Sequence, residues 1–347
     1  MVAAVSELDL MKISTYEWHQ SHGARFEEFF GWEIPSDYGN FEEEYRAIRN
    51  SAGIRDVSFF GKIRMSGKDR QRFLNGMISN EVKSLQPGNG AWALFLDIKG
   101  HVQADMKVYA FPDHFLIVTQ PYVADRLVKA LDRYIISENV QMTDVTEQLA
   151  MLQILGPNSE ALLRSASLPD KPYSFASATI ADRQVQIIRL TVGYALLMNA
   201  VDASAVLNEL NGPLIGRKAF EIYRVESGMA LLDIDVEETN FPQERRWDGA
   251  LNFQKGCYLG QEVMARIDAQ GHVNKFLVGF AGESSMQRGD KIYKDEKEVG
   301  KITSAVHSLK LNQPFGMGYV RRELANEGET VTVGENRTTA IVKRLPI

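Results

Sequence analysis

After Gly271 the chain changes texture, and short alternating runs replace the mixture of helical and strand patterns before it. These runs cover residues 276–280, 291–293, 299–306, 316–320, 330–333 and 339–343, with Gly, Asn and Asp between several of them. Strands this short cannot bury a face singly, so residues 271–347 predict a small β-barrel or sandwich.

The upstream chain reads differently. Residues 16–30 carry an amphipathic pattern and predict a helix, which Gly31-Trp32-Glu33-Ile34-Pro35 breaks, and Asn40 is placed to cap a second helix over 41–50. A strand over 61–65 leads to a helix opening at Ser66 and passing through Phe73 and Leu74. Residues 91–96 and 102–110 predict strands joined at Ile98-Lys99-Gly100, 115–119 a third strand, and Val123, Leu127, Leu131 and Tyr134 recur at helical spacing. That order suits an α+β sandwich of the ferredoxin-like kind. From Met151, a strand over 152–155 meets Gly156-Pro157, Asn158 caps a helix through Leu163, strands over 185–190 and 195–198 pair, and Asp202 or Ser204 caps a helix over 205–210.

At 347 residues the chain exceeds one ordinary core, and two or three domains are expected. A hydrophobic share of 44% and a charged share of 24% are those of a soluble globular protein. The single cysteine, Cys257, excludes an intramolecular disulfide framework and suits a reducing compartment. The stretch from Met1 to Lys12 lacks a secretion pattern, and no apolar run approaches the roughly 20 residues of a membrane helix, so a cytoplasmic location is expected. A net charge of −6 argues against broad nucleic-acid binding, and the doublets Arg245-Arg246 and Arg321-Arg322 read as solvated surface. His19 and His22 share a helix face without a third ligand, so no metal site is expected. One thiol also falls short of the about four that an Fe–S cluster usually takes.

The densest chemistry lies in Lys255-Gly256-Cys257-Tyr258-Leu259-Gly260-Gln261-Glu262. A thiol stands between glycines, beside an ammonium, just ahead of a predicted helix start near Gly260, and both the lysine and the helix dipole favour a thiolate. This octapeptide resembles the signature of YgfZ-type folate-binding proteins, a branch of the glycine-cleavage T-protein (aminomethyltransferase) superfamily. Phe241-Pro242-Gln243-Glu244, Gly249-Ala250-Leu251 and the run from Arg266 to Val273 resemble the same branch. The openings around His19, Gly31-Trp32 and Gly53-Ile54-Arg55-Asp56, with Leu155-Gly156-Pro157, Arg224-Val225-Glu226-Ser227-Gly228 and Gly316-Met317-Gly318-Tyr319-Val320, extend the likeness along the chain.

The resemblance implies a three-domain cloverleaf around a central folate channel, with a ferredoxin-like second domain and a C-terminal barrel. The corresponding domains are 1–52 plus 146–270, 53–145 and 271–347. It implies tetrahydrofolate or a derivative as ligand, with Lys255 on the glutamyl tail and Gly256 and Gly260 letting backbone amides approach. Arg224, Tyr194, Gln261 and Glu244 join the folate-binding set, and Cys257 and Asp105 are the catalytic candidates. Departures are equally specific. Leu197 stands where aminomethyltransferases carry a pterin-gripping glutamate, Ala104-Asp105 replaces two aspartates, Phe59-Phe60 replaces His-Met, and Cys257 replaces an aspartate. These changes point away from aminomethyl transfer, and the resemblance implies a folate-binding protein that supports Fe–S enzyme assembly or repair and Fe–S-dependent tRNA modification, with Fe–S proteins or their assembly machinery as partners. The alternative is a folate-dependent C1 transferase acting on an aminomethyl or N-methyl donor, and a third reading is an RNA-binding accessory protein.

Overall fold

The computed structural model describes residues 10–163 and 168–347, so the N-terminal part of the secretion reading, residues 1–9, lies outside the described residues. The chain divides into two compact units: the described residues up to Lys62 with Asp144–Ala219, and Ile63–Thr143 with Phe220–Ile347.

In the first unit, a five-stranded antiparallel sheet runs in the order Phe175–Ile180, Arg183–Arg189, Tyr194–Asn199, Leu149–Leu155, Gly53–Asp56. Ile54, Leu152, Ile154, Ile187 and Leu196 pack in one apolar cluster with Val206 and Leu207 of the helix Ala203–Glu209. Asp202 is that helix's N-cap, but its side chain makes no capping bond. Asn40 does cap Phe41–Asn50, accepting from Glu43 N at 3.3 Å. The helix predicted over 16–30 is corrected: only Tyr16–Ser21 is helical, and Arg25–Phe29 pairs antiparallel with Trp32–Asp37. Phe30 and Gly31 join the two strands at φ of 50° and 81°, the positive values that a tight two-residue hairpin needs.

Asp56 closes a buried polar network in this unit. Its carboxylate accepts from Thr15 Oγ1 at 2.6 Å and Ser58 N at 2.8 Å and faces His19 Nε2 at 3.0 Å, while His19 Nδ1 lies 2.7 Å from the Tyr38 hydroxyl. His19 is therefore committed to a carboxylate and a phenol. Burial works to raise the Asp56 pKa, but His19, Ser58 and Thr15 outweigh it and hold it below the ordinary carboxylate value. A carboxylate depressed in the folded state contributes stability that is present above the unfolded pKa of about 3.9 and is lost as pH falls through the folded value. Urea midpoints of the wild type are thus expected to fall below about pH 4 more steeply than those of Asp56→Asn. Equal slopes would remove Asp56 from the acid transition.

The second unit holds a five-stranded sheet ordered Gly90–Leu96, Val102–Ala110, His114–Thr119, Gly61–Ser66, Gln141–Asp144. Helices Arg70–Met77 and Val123–Asp132 pack on it through Phe73, Leu74, Met77, Val123, Leu127 and Leu131. The order strand, helix, three strands, helix, strand is the expected ferredoxin-like plan with one more strand between the helices. The helix expected from Ser66 begins at Arg70.

The C-terminal strands close into a six-stranded barrel: Lys275–Gly282, Gln313–Arg321, Lys297–Ser308, Lys291–Lys294, Thr330–Val333, Thr338–Lys343. Val278, Phe280, Ile302, Val320, Val331 and Val342 fill it. Closure leaves no edge strand to pair with another chain, which decides between the two all-β architectures the sequence allowed. No helix among the described residues is long and apolar enough to cross a membrane.

Candidate active site

Asp105 lies on Val102–Ala110, and pairing sets its neighbours. Trp92 is opposite Lys107 and Leu94 opposite Asp105, so Trp92, Asp105 and Lys107 share one face of the hairpin. Trp92 Nε1 donates to Asp105 Oδ1 at 2.6 Å, and Lys107 Nζ donates to both carboxylate oxygens at 3.0 and 3.2 Å. Asp105 is 8% exposed, enough shielding for its charge to be felt strongly. Trp92 meets Trp247 edge-on at 5.7 Å, and the Arg245 guanidinium lies 3.8 Å from the Trp247 ring centroid. Trp92, Lys107, Trp247 and Arg245 were not singled out as site residues from sequence. The register implied by the turn at residues 97–101 was the available signal for the first two.

Cys257 is exposed, on the segment leading into the helix Gln261–Gln270. Lys255 fixes the start of that segment: its Nζ donates to the carbonyls of Asn75 at 2.5 Å, Ile78 at 2.7 Å and Asn80 at 2.9 Å. All three ammonium donors are thereby spent on the C-terminal end of Arg70–Met77 and the turn after it. Burial pulls its pKa down to about 8, with Glu81 opposing. Lys255 therefore holds backbone in place of the expected glutamyl carboxylate. Gly260 caps the helix at φ 80°, and a Cβ there would come within 2.5 Å of the Asp97 carbonyl, so its close approach is to the hairpin turn. At Gly256 a Cβ would meet no protein atom within 4 Å. Gln261 Oε1 accepts from Tyr258 N at 3.3 Å.

The remaining candidates are more deeply committed. Arg224, 1% exposed, lies in the last turn of the helix Arg217–Glu226 and donates from Nε and Nη2 to Glu221 at 2.7 and 2.5 Å. Nη1 reaches Asp235 at 2.8 Å and the Met229 carbonyl at 3.1 Å, and Nη2 also reaches Ser304 Oγ at 2.8 Å. Those five contacts match the five N–H groups of a guanidinium, leaving none for a folate. Glu244, on the short 3₁₀ turn Pro242–Arg245, accepts from Asn240 Nδ2 at 2.6 Å and Phe241 N at 3.2 Å, with Lys275 Nζ at 3.8 Å. Burial raises its pKa against those partners. Tyr194, in the first unit, donates its hydroxyl to Glu160 at 3.0 Å beneath the Arg189 guanidinium. Among the described residues no group of three or more His, Cys, Asp or Glu is gathered to hold a metal.

Two family models match this chain: the GCVT N-terminal domain over residues 15–255, and the glycine cleavage T-protein C-terminal barrel domain over residues 275–346. An aminomethyltransferase of Halothermothrix orenii is 30% identical, over 97% of this chain and 99% of its own length. One from Bacillus velezensis is 26% identical, with 96% of both chains covered. The crystal structure of the glycine cleavage system aminomethyltransferase T from Bartonella henselae superposes with a TM-score of 0.86 at 21% identity, over 97% of this chain and 98% of that one. That likeness is one of fold.

Proposed function

We propose, since this chain belongs to the glycine cleavage T-protein family, that it binds a tetrahydrofolate and transfers a one-carbon unit to it from a small aminomethyl or N-methyl donor. Relatives aligned over nearly the whole chain are named aminomethyltransferases. The observation that carries the reading is Asp105, a shielded carboxylate set between an indole N–H and an ammonium on the wall of an aromatic cluster. A carboxylate so fixed is able to take a proton from, or return one to, a folate nitrogen during transfer. In this reading Trp92 and Lys107 orient it.

A second reading rests on Cys257, whose thiol is exposed where aminomethyltransferases carry an aspartate. Leu197, 4% exposed, and Ala104 stand at two further positions without the family's acids. On this reading the protein is a cytoplasmic folate-binding protein of YgfZ type that supports Fe–S enzymes and Fe–S-dependent tRNA modification, and the thiol is its working group. One experiment separates the two. Purified protein is given tetrahydrofolate with a lipoyl-bound aminomethyl donor, then an N-methyl donor, and methylene-tetrahydrofolate is followed. Turnover at about 1–1000 per second, retained in Cys257→Ala, is the expected result. Calorimetric binding of tetrahydrofolate without turnover, joined to loss of Fe–S enzyme activity in Cys257→Ala cells, would transfer the assignment to the second reading. Absence of binding sinks both.

A further inference from the structure

A cavity of about 450 Å³ opens within the second unit, of a size ordinary for small-molecule sites. Its wall includes Arg245, Arg246, Trp247 and Arg344 together with the apolar Leu277 and Leu345. One carboxylate, Glu327, also lines it and already lies 4.0 Å from Lys343 Nζ, so the wall remains basic.

Arg245 makes this cavity unusual. The residue is 8% exposed, yet Nε, Nη1 and Nη2 all lack a hydrogen-bond partner. Buried guanidinium groups are ordinarily paired, since an unmatched buried charge is costly. Desolvation works against its charge, and Tyr319, Asp235 and Asp105 only partly oppose this. Trp247 covers one face of the guanidinium at 3.8 Å, leaving the planar edge as its hydrogen-bonding surface. The contrast with Arg224 decides how this is read: all three guanidinium nitrogens of Arg245 are buried without a hydrogen-bond partner, whereas Arg224 has a partner for every donor.

We propose that Arg245 is the anchor of a binding site for a small organic carboxylate, seated with its anion on the guanidinium edge and its apolar body against Leu277 and Leu345. A carboxylate offers two coplanar oxygens at the spacing of the guanidinium fork, and the indole beneath holds that fork flat. This goes beyond the folate reading and does not depend on it.

Benzoate, with the neutral benzamide as its isostere, is the probe. Thermal unfolding of the full chain is expected to shift upward with benzoate concentration in the wild type and not with benzamide. Arg245→Met is expected to lose the benzoate shift while melting above the ligand-free wild type, because an unmatched buried cation has been replaced by a side chain that suits its surroundings. Arg245→Lys keeps a charge without the fork and should show a weakened shift, which preserves the test if the methionine variant does not fold. Equal shifts with benzoate and benzamide, an undiminished benzoate shift in both variants, or no shift in the wild type would overturn the site. Competition by tetrahydrofolate then identifies the source of the carboxylate. Displacement of benzoate assigns it to the glutamyl end of a folate, and no displacement assigns it to a separate acid.

Discussion

An Arg224→Ala variant is expected to lose about 3–5 kcal/mol of stability, because it strips a fully buried carboxylate of its counterion. Asp235 is 0% exposed, and its four contacts are Arg224 Nη1, Leu231 N and the hydroxyls of Thr303 and Ser304. The three neutral donors would remain, but the charge would be unpaired in a low-dielectric setting. Against a total of about 5–15 kcal/mol for an ordinary domain, the loss is large enough to leave little folded protein at 37 °C. The double variant Arg224→Met with Asp235→Leu should recover part of it, since no buried charge is then left at Asp235 without its counterion, while Leu231 N and the Ser304 hydroxyl lose their acceptor. Chemical denaturation of the wild type, Arg224→Ala, Arg224→Met, Asp235→Leu and the double variant checks this. A double variant as unstable as the sum of its single changes would mean that Arg224 acts through packing alone.

The second large effect is kinetic. Asp105→Asn is expected to lower kcat for one-carbon transfer by about 10²–10⁴-fold while leaving tetrahydrofolate affinity and melting temperature close to wild type. The amide oxygen still accepts from Trp92 Nε1, and Lys107, whose side chain is 32% exposed, can turn to water. What disappears is the exchangeable proton site. A rise in KM with unchanged kcat would instead make Asp105 a binding or strand-holding residue, and the choice of donor would have to be reopened.

Much of the fold was legible because local patterns and tertiary pairing agreed. The barrel strands, the 91–96 and 102–110 hairpin and the helix starting after Gly260 all carried alternation, turn residues or a cap in the right places. Arg25–Phe29 was misread because Arg-Phe-Glu-Glu-Phe has helical composition; its strand exists only through pairing with Trp32–Asp37. The helix Arg217–Glu226 was missed because Pro213 and Gly216 precede it without a capping side chain in view. At the candidate site, chemical type was readable but orientation was not. Lys255 looked like an anion receptor and grips carbonyls; Arg224 looked like a folate contact and has every donor engaged. The doublet Arg245-Arg246 looked uniformly solvated, yet the first member is buried over an indole and the second is exposed, a difference that a run of two identical letters cannot carry.

The loop bearing Cys257 is bolted at two points. Lys255 ties its entrance to the carbonyls that follow one helix, and Gly260 presses its exit against the turn of the Asp105 hairpin. Between the bolts, position 257 projects into solvent with little packing to satisfy. Such a bracket lets the hanging group be exchanged, acid for sulfur or the reverse, while the mount keeps its shape. Chemistry at that point is therefore cheap to revise, and a change of trade within this family need not begin with a change of architecture.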